Sequence, residues 1–554
     1  MGWAAHLVVL ALMGATLLLA RLVHATTTRI YRHKHIWDKL DCVGGVSATS
    51  STPTWIAALF RSISGLQDAA QDGYDRFVKS TTRGPRPFVL PTMWTGGPIV
   101  VLPPSMLPLV NRSPSHETGV PGLLEQFQFR YLHPDPDVWA NTAIHFDVVR
   151  RDMAQKNMAP LAATIAGEWA AAFRACWDED PAAAGKTVGV GGVSAWDSGV
   201  RIMARVAMRV LVGLPGCRDE SFFELSQLYA RAFIVDGVAI NCLPPVLRPL
   251  LAPVLALRAR YYQRRVVGAL VPLVEQRLAR AAIEEADKTK HEPGDVIRWL
   301  IARSAAEGNP EQMQPVKIAR RVVALMSMFG FAIGWVFAHA LLDIYGGPSR
   351  DDVVAGLEDE CDRVRRRHGG SIDTKEAVEA LFRVDSAVRE SMRLSDVSVH
   401  ILPLDVVAGE GIDLGGGVRI TPGCGLRAVF PAQMVHADPD NYADPKTYDA
   451  FRFSRPFEAD VVQQDGGANG DEREKKRELM TTTTATFLPF GYGRRSCPGR
   501  WLVAHMVKQA LAHVVLNYHV EVTQRPGPRR ALLNFMLPAE AARIAVNRKK
   551  NVQN

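Results

Sequence analysis

The sequence predicts a mainly α, α+β protein, in which an N-terminal transmembrane helix precedes one helical domain with small β-sheets. Residues 141–282 carry helical hydrophobic periodicity over most of their length. Strand-like runs are short, such as residues 87–90 and 99–102, and proline or glycine stands at their ends. An apolar run at the N-terminus is close to the roughly 20 residues that a helix needs to cross a bilayer.

Composition places the chain among globular proteins. With 554 residues, 47% of them hydrophobic, it can bury a large core. Its seven cysteines are scattered and odd in number, and no pair has C-x-x-C spacing, which argues against a disulfide framework or a zinc site and for a reducing compartment. The formal net charge of +8 is spread along the chain, so no nucleic-acid partner is expected. An acidic redox partner or an anionic membrane surface would account for the excess of basic residues equally well.

Residues 1–22 are predicted to be a membrane anchor, because residues 3–20 are almost wholly apolar. Basic residues follow this run and none precedes it, so the positive-inside tendency places the rest of the chain in the cytosol. A cleaved signal peptide is the alternative, but it would carry a basic residue ahead of the apolar run. We expect a juxtamembrane linker over residues 23–72 and one large domain over residues 73–545.

Two other segments stand out within the predicted domain. Residues 322–344 are strongly apolar, which fits either a membrane span or a fully buried helix. The buried helix is favoured, since His339 and Asp343 would lie near the end of a span. Residues 458–486 are polar and charged, and are predicted to form a surface insertion.

The strongest chemical signal is the run Phe490-Gly-Tyr-Gly-Arg-Arg-Ser-Cys-Pro-Gly499, with the pattern F-x-x-G-x-R-x-C-x-G. A cysteine ligates iron as a thiolate, which positive charge or hydrogen-bond donors favour. Gly493 and Gly499 let the backbone turn so that amide N–H groups can point at the sulfur of Cys497. Arg495 can meet an anionic group, and Phe490 can shield the sulfur from water. An incidental cysteine in a glycine-rich loop is the alternative, and five fixed positions in ten make it improbable.

This run resembles the haem-binding signature of cytochromes P-450, and most of the chain resembles filamentous-fungal members that act in secondary metabolism. The resemblance implies the cytochrome P-450 fold and a haem b whose iron has Cys497 as its axial ligand. It also implies electrons from NADPH, delivered by an NADPH–cytochrome P-450 reductase. The implied location is the endoplasmic reticulum membrane, with a single span and a cytosolic catalytic domain.

Three charged residues match a structural feature of this family. Glu390 and Arg393 match the E-x-x-R of the helix called K, and Arg452 resembles the arginine that completes a buried triad. A spacing of three places Glu390 and Arg393 on one helix face, where they can pair. We expect the triad to hold the core beside the haem, because a buried charge group stabilises only if all its members are paired.

Two further haem contacts are expected from the resemblance. Residues 145–151 resemble the family's C helix, where Arg150 could meet a propionate, although Phe146 stands in the place of a tryptophan. A surface arginine is the alternative for Arg150. The basic residue that related proteins often carry after the K helix is missing at residues 404–405, and His400 could replace it as a propionate partner.

The helix expected on the distal side of the iron departs from the family pattern A-G-x-D/E-T. Alignment of residues 331–335 with this pattern puts Gly334 at the acidic position and Trp335 at the threonine position, and no nearby register restores the pair. Gly330 and Gly334 lie one turn apart. They either open the helix hydrogen bonding beside the iron, where a water or ligand could sit, or allow close helix packing.

The resemblance implies a haem-thiolate oxidoreductase, a monooxygenase that uses NADPH and dioxygen. An apolar distal wall predicts a lipophilic small-molecule substrate, such as a terpenoid, polyketide or alkaloid, that is hydroxylated or otherwise oxidised. The missing threonine motivates a second class, a haem-thiolate isomerase, dehydratase or desaturase. A non-catalytic haem-binding protein is the third. The substrate and the oxidised position are not readable from the sequence.

Overall fold

Helices dominate the computed structural model, which agrees with the predicted mainly α class. The structure describes residues 13–550 except 15, 26, 29–31, 95–96, 112–123, 134, 140–143, 179–191, 287–293, 407–409 and 463–476. Its helices are α1 (Thr16–Ala25), α2 (Lys34–Trp37), α3 (Thr52–Gly73), α4 (Phe129–Leu132), α5 (Ile144–Arg151), α6 (Met158–Phe173), α7 (Ala195–Leu211), α8 (Glu220–Asn241), α9 (Arg248–Leu255), α10 (Leu257–Ala286), α11 (Val296–Ala306), α12 (Pro315–Gly346), α13 (Arg350–Arg367), α14 (Lys375–Glu379), α15 (Phe382–Leu394), α16 (Ala432–His436), α17 (Arg455–Val462) and α18 (Arg500–Asn517).

The strands are short and form four small sheets among the described residues. They are β1 (Asp41–Cys42), β2 (Phe88–Leu90), β3 (Ile99–Val101), β4 (Val193–Ser194), β5 (Ile401–Asp405), β6 (Ile412–Gly415), β7 (Val418–Ile420), β8 (Arg427–Phe430), β9 (Tyr518–Gln524), β10 (Ala531–Leu532), β11 (Phe535–Met536) and β12 (Arg543–Arg548). The largest sheet has the order β1-β2-β3-β8-β5, and a second has the order β4-β12-β9. The predicted strands at 87–90 and 99–102 are β2 and β3, which pair antiparallel with Val89 opposite Val100.

Helix α12 is apolar on nearly all sides, as expected of a helix that lies within the core. Among the described residues it is the one helix long and apolar enough to cross a membrane, but most of it is buried inside the protein. His339 is 2% exposed within this core. The predicted buried helix is therefore confirmed, and α12 spans the domain as a central support.

The first turn of α15 is capped by a carboxylate from another helix. Glu360 of α13 is buried, and its two oxygens accept the backbone N–H groups of Phe382, Arg383 and Val384 at 2.8–2.9 Å. These amides have no intrahelical partner, so a buried helix start needs such an acceptor. The cap fixes α15, which carries Glu390.

The predicted linker over residues 23–72 is wrong, because much of this segment belongs to the folded domain. Trp37 and Trp55 are at most 1% exposed, and Leu66 on α3 is also buried. Strand β1 pairs parallel with β2 and so joins the largest sheet. Of the predicted anchor, residues 1–12 and 15 lie outside the described residues. The described apolar helix α1 is shorter than a membrane span.

The predicted surface insertion over residues 458–486 is wrong at its C-terminal end. Met480 is fully buried, and its N–H donates to Asp385 at 2.6 Å. Glu478 forms an ion pair at 2.7 Å with Arg389, whose side chain is fully buried and needs a partner. Residues 463–476 lie outside the described part of the chain.

Candidate functional site

The loop that carries Cys497 is closed by its own backbone. The N–H of Cys497 donates to the carbonyl of Phe490 at 2.7 Å, and Gly493–Arg495 form a single 3-10 turn inside the loop. Gly491 and Gly493 have φ values of +80° and +57°, a conformation that favours glycine. Helix α18 begins directly after the loop, so its first turn lies beside Cys497.

Gly493 is required by a close approach as well as by its backbone angle. A Cβ atom at this position would stand 1.9 Å from Oδ1 of Asn111. The same oxygen accepts the N–H of Arg494 at 3.0 Å. The Asn111 side chain therefore occupies the space that a larger residue at position 493 would need. Phe490 is 8% exposed and Arg495 is half-buried.

Donors approach the sulfur of Cys497 from the start of α18. Burial raises the pKa of the Cys497 thiol, whereas hydrogen bonds from the Gly499 and Arg500 amides and the charge of Arg500 act to lower it. Such donors are what a thiolate ligand needs. Gly499 lies close to the sulfur, since a Cβ built there would be 3.9 Å from Sγ of Cys497.

Residues of two other helices also lie close to Gly499. The Cβ built at Gly499 would lie 3.6 Å from Val149 of α5 and 3.9 Å from Phe329 of α12. On α12, Ala332 is exposed, although every residue from 333 to 340 is buried. Met328 and Phe329 are half-buried. The face of α12 around Ala332 therefore borders an open space beside the Cys497 loop.

His400 contributes an orphaned polar atom that bears on the nature of this site. The side chain is 1% exposed, and its Nδ1 lies 3.3 Å from Oδ1 of Asn534. Its Nε2 is buried and has no hydrogen-bond partner among the described residues. Burial lowers the pKa of His400 to about 4, and a carboxylate placed beside Nε2 would favour the protonated ring instead.

These features fit a haem. Three features match a flat apolar ring system with a metal and carboxylates: a half-buried cysteine with amide donors, an accessible apolar helix face nearby, and a buried histidine whose Nε2 has no partner among the described residues. The described residues contain no group of three His, Cys, Asp or Glu side chains that could hold a bare metal ion. A haem iron needs no such group, because the porphyrin supplies four ligands and the protein supplies one.

The expectation for Arg150 is not supported by its placement. Its side chain is 52% exposed, and it lies 3.8 Å from Asp147 in an i,i+3 ion pair. The surface-arginine interpretation accounts for this position. Val149, the preceding residue, is the one that α5 directs to the Cys497 loop.

The expectation that Gly330 and Gly334 form part of the distal site is wrong. A Cβ at Gly334 would lie 2.8 Å from the Cα of Val200, and one at Gly330 would lie 3.7 Å from Ala204, both on α7. At 3.6 residues per turn, each glycine is about 160–200° around the helix from Ala332. Gly334 therefore serves close helix packing, the other alternative that the sequence left open, whereas Gly330 makes only an ordinary contact with α7.

Trp335 is also not an exposed group of the site. Its indole is 2% exposed, and Nε1 donates to the carbonyl of Ser395 at 2.7 Å. The ring packs against Trp196, Phe331 and His339, with centroids 4.6–5.9 Å apart. Trp335 fixes α12 to the end of α15. The residue one turn beyond Ala332 on the same face is Val336.

The structure brings Glu390, Arg393 and Arg452 together. Arg393 makes a bidentate pair with Glu390 at 2.8 Å, and Nε of Arg452 donates to Glu390 at 3.0 Å. Glu390 and Arg393 are almost fully buried, so each charge depends on the others. Arg393 also donates to the carbonyls of His436 and Pro445 at 2.6 and 2.7 Å.

His436 connects this triad to the Cys497 loop. Its Nε2 accepts the N–H of Leu488 at 2.9 Å, so the ring proton stands on Nδ1, which donates to Asp396 at 2.7 Å. Leu488 lies two residues before Phe490. The triad thus holds the loop through one histidine, a positioning role that reaches the sulfur only indirectly.

Sequence reasoning missed Asn111, Ala332 and the role of His436. Asn111 lies more than 380 residues from the loop that it supports, and nothing in its own neighbourhood signals the contact. Ala332 is one alanine in an apolar run. The face of α12 that carries Ala332 could have been identified only by knowing that Phe329, one turn earlier, points towards the Cys497 loop.

Comparison with known proteins supports the same class. The family model "Cytochrome P450" matches residues 199–546, well over half of the chain. The chain is 29% identical to cytochrome P450 monooxygenase gloP of Glarea lozoyensis over 96% of its own length and 94% of the relative's. It is 30% identical to cytochrome P450 monooxygenase htyF of Aspergillus rugulosus over 93% of its length and 74% of the relative's. The chain belongs to the cytochrome P450 family.

Proposed function

We propose that this protein is a haem-thiolate monooxygenase with Cys497 as the iron ligand. The observation that carries the proposal is the closed loop in which the Gly499 and Arg500 amides reach the Cys497 sulfur. A bound haem would supply the activation of dioxygen, with the thiolate donating electron density to the iron. The protein's own residues hold that sulfur, shield it and shape the opposite wall.

The proximal residues have separable tasks. Cys497 would bind the metal, and the two amides would temper the charge on its sulfur. Phe490 would exclude water, while Arg495 and His400 are proposed partners for the two propionates. His400 is supported by its unpartnered Nε2.

The distal wall supports a lipophilic substrate. Met328, Phe329 and Ala332 are apolar and accessible from the open space, so a hydrocarbon surface would replace water favourably there. A secondary metabolite such as a terpenoid, polyketide or alkaloid fits this chemistry, and the resemblance to fungal monooxygenases supports it. Electrons would come from NADPH through a reductase. The proposed location is the endoplasmic reticulum membrane, with residues 1–22 as the anchor.

A desaturase, dehydratase or isomerase is the second candidate function. On α12, neither Ala332 nor Val336 can donate or accept a proton, and Ser327 is fully buried with its hydroxyl bonded to the Ala324 carbonyl. Proton delivery would then depend on water or on a hydroxyl of the substrate itself. A rearrangement or dehydration that uses no dioxygen needs no such protons, whereas a desaturation that uses dioxygen needs them as hydroxylation does.

The test is the product mass from cells that express the gene with its pathway under isotopically labelled dioxygen. One labelled oxygen in the product, absent in cells with Cys497→Ala, is the expected result. An oxidised but unlabelled product would favour desaturation, and an unchanged mass would favour rearrangement. Haem uptake without any metabolite change on deletion would leave a non-catalytic haem-binding protein.

A further inference from the structure

A cleft outside the haem site lies between α13, the start of α15 and α17. Its volume is about 280 Å³, close to the roughly 300 Å³ at which small-molecule sites begin. None of its lining residues belongs to the Cys497 loop, α5 or α12. The cleft is therefore separate from the site described above.

Apolar side chains form one part of the wall. Phe382, Phe453 and Phe457 line the cleft together with Leu479, and all four residues are half-buried, so this part of the wall is accessible from solvent. A concave surface with three aromatic rings favours a ligand that carries a ring or a short apolar chain.

The carboxylates that line the cleft already have partners. Glu360 accepts the amides at the start of α15, and Asp385 lies 3.2 Å from the ammonium group of Lys508. The other three are paired with arginines: Glu458 with Arg383, Glu478 with Arg389, and Asp359 with both Arg363 and Arg383. These acidic charges are therefore balanced within the protein.

Two arginines of the wall have no acidic partner among the described residues. Arg367, the last residue of α13, is exposed, and its side chain makes no ion pair with a described residue. Arg477 is half-buried, and its Cζ lies 4.2 Å from the ring centroid of Phe382. A guanidinium that stacks on a ring keeps its N–H donors free for a carboxylate or phosphate. The wall thus combines apolar surface with unbalanced positive charge.

We infer that this cleft binds a small organic anion, whose carboxylate or phosphate pairs with Arg367 and Arg477 and whose apolar part lies on Phe382, Phe453 and Phe457. A concave site of this volume takes a small molecule, whereas a protein partner needs a far larger surface. The inference goes beyond the proposed function and does not depend on it, because no residue of the haem site takes part.

The test is equilibrium dialysis of naphthyl phosphate against the purified full-length protein with its haem. We expect saturable binding that Arg367→Gln and Arg477→Gln each weaken about two- to fivefold, as the loss of one partly exposed charge pair does. Arg366→Gln is the matched control, since Arg366 is an exposed arginine of the same helix that does not line the cleft. It should leave the affinity unchanged.

Two further probes separate the ring from the charge. Naphthol has the ring without the phosphate, and inorganic phosphate has the charge without the ring, so both should bind more weakly than naphthyl phosphate. Phe457→Ser should weaken naphthyl phosphate binding while both arginines are retained, and thermal unfolding shows whether each variant is folded. Equal affinity in the cleft variants and in Arg366→Gln would overturn the inference.

The haem and a protein partner are the other places where these groups could act. Binding in the cleft should leave the Soret band in place. A probe that shifts this band, with the same affinity in the arginine variants, would lie in the haem pocket and would contradict the inference. No saturable binding, together with a weaker reductase complex in Arg367→Gln and Arg477→Gln, would assign the two arginines to a protein surface instead.

Discussion

The two walls of the candidate haem site are built from different interactions. The wall around Cys497 is fixed by polar contacts: backbone hydrogen bonds close the loop, Asn111 fills the space beside Gly493, and His436 ties the loop to the Glu390 triad. The wall on α12 is fixed by apolar packing against α7. The first wall therefore tolerates few substitutions. The chemistry of the second wall depends on which face of α12 borders the open space.

The glycines show the same difference. In the loop, Gly493 adopts a positive φ and lies against a side-chain amide. In α12, Gly330 and Gly334 have ordinary helical angles and differ only in how closely α7 approaches them. The glycine in the loop motif is thus required by its backbone angle and by a close side-chain contact. The glycines in the helix differ only in how closely a neighbouring helix packs, and the sequence alone does not separate the two cases.

The largest effect is expected at the triad that supports the loop. Glu390→Ala would leave the buried Arg393 and the half-buried Arg452 without their carboxylate, which costs about 3–5 kcal/mol of unfolding free energy. Chemical denaturation of the purified protein measures this loss. The control is Glu379→Ala, which removes a half-exposed helix ion pair and should cost less than about 0.5 kcal/mol. Equal losses in the two variants would contradict the buried triad.

A smaller but specific effect is expected within the loop. Gly493→Ala combines left-handed strain with a contact on Asn111, together about 2–4 kcal/mol, and should lower the haem content of the purified protein. Adding Asn111→Ala should restore part of the haem, because it removes the contact but not the strain. Gly527→Ala, at a position with open space and no positive φ, should retain full haem content. Loss of haem in that control would show that the effect is not local.

The two helix glycines should respond in opposite directions. Gly334→Ala forces a methyl group against the Val200 backbone and should destabilise by about 1–3 kcal/mol. Gly330→Ala has room beside Ala204 and gains helix propensity, so it should be neutral or stabilising by up to about 1 kcal/mol. Thermal unfolding of the pair, each serving as the control of the other, measures the difference. An equal response would argue against close packing on α7.

The smallest effect is expected at the edge of the distal wall. Trp335→Phe keeps an aromatic ring but loses the hydrogen bond to the Ser395 carbonyl, a cost of about 0.5–1.5 kcal/mol. A hydroxyl on the Ala332 face of α12 requires Val336→Thr, one turn beyond Ala332. That variant should raise the ratio of product formed to NADPH consumed, whereas Trp335→Thr should not. If Trp335→Thr raised this ratio and Val336→Thr did not, the alignment in which Trp335 replaces the threonine would be supported instead.

The sequence supports the mainly α class, the strands β2 and β3 and the buried helix α12, because hydrophobic periodicity and length are local signals. It also predicts the amide donors at Cys497 and the pairing of Glu390 with Arg393, since both depend on short spacings. The face of α12 was not predictable, because a shift of one residue rotates a helix by about 100°. The fold of residues 33–72 was missed for a related reason: strand β1 gains its partner β2 only through a contact across more than 40 residues.

The most direct test of the central claim is the reduced, CO-bound difference spectrum of the purified protein and of its Cys497→Ala variant. We predict that the unmodified protein gives the long-wavelength Soret band of a thiolate-ligated haem, and that the variant loses this band even where it retains some haem. The same band in the variant, or no thiolate band in the unmodified protein, would contradict the assignment of Cys497 and with it the proposed haem-thiolate site.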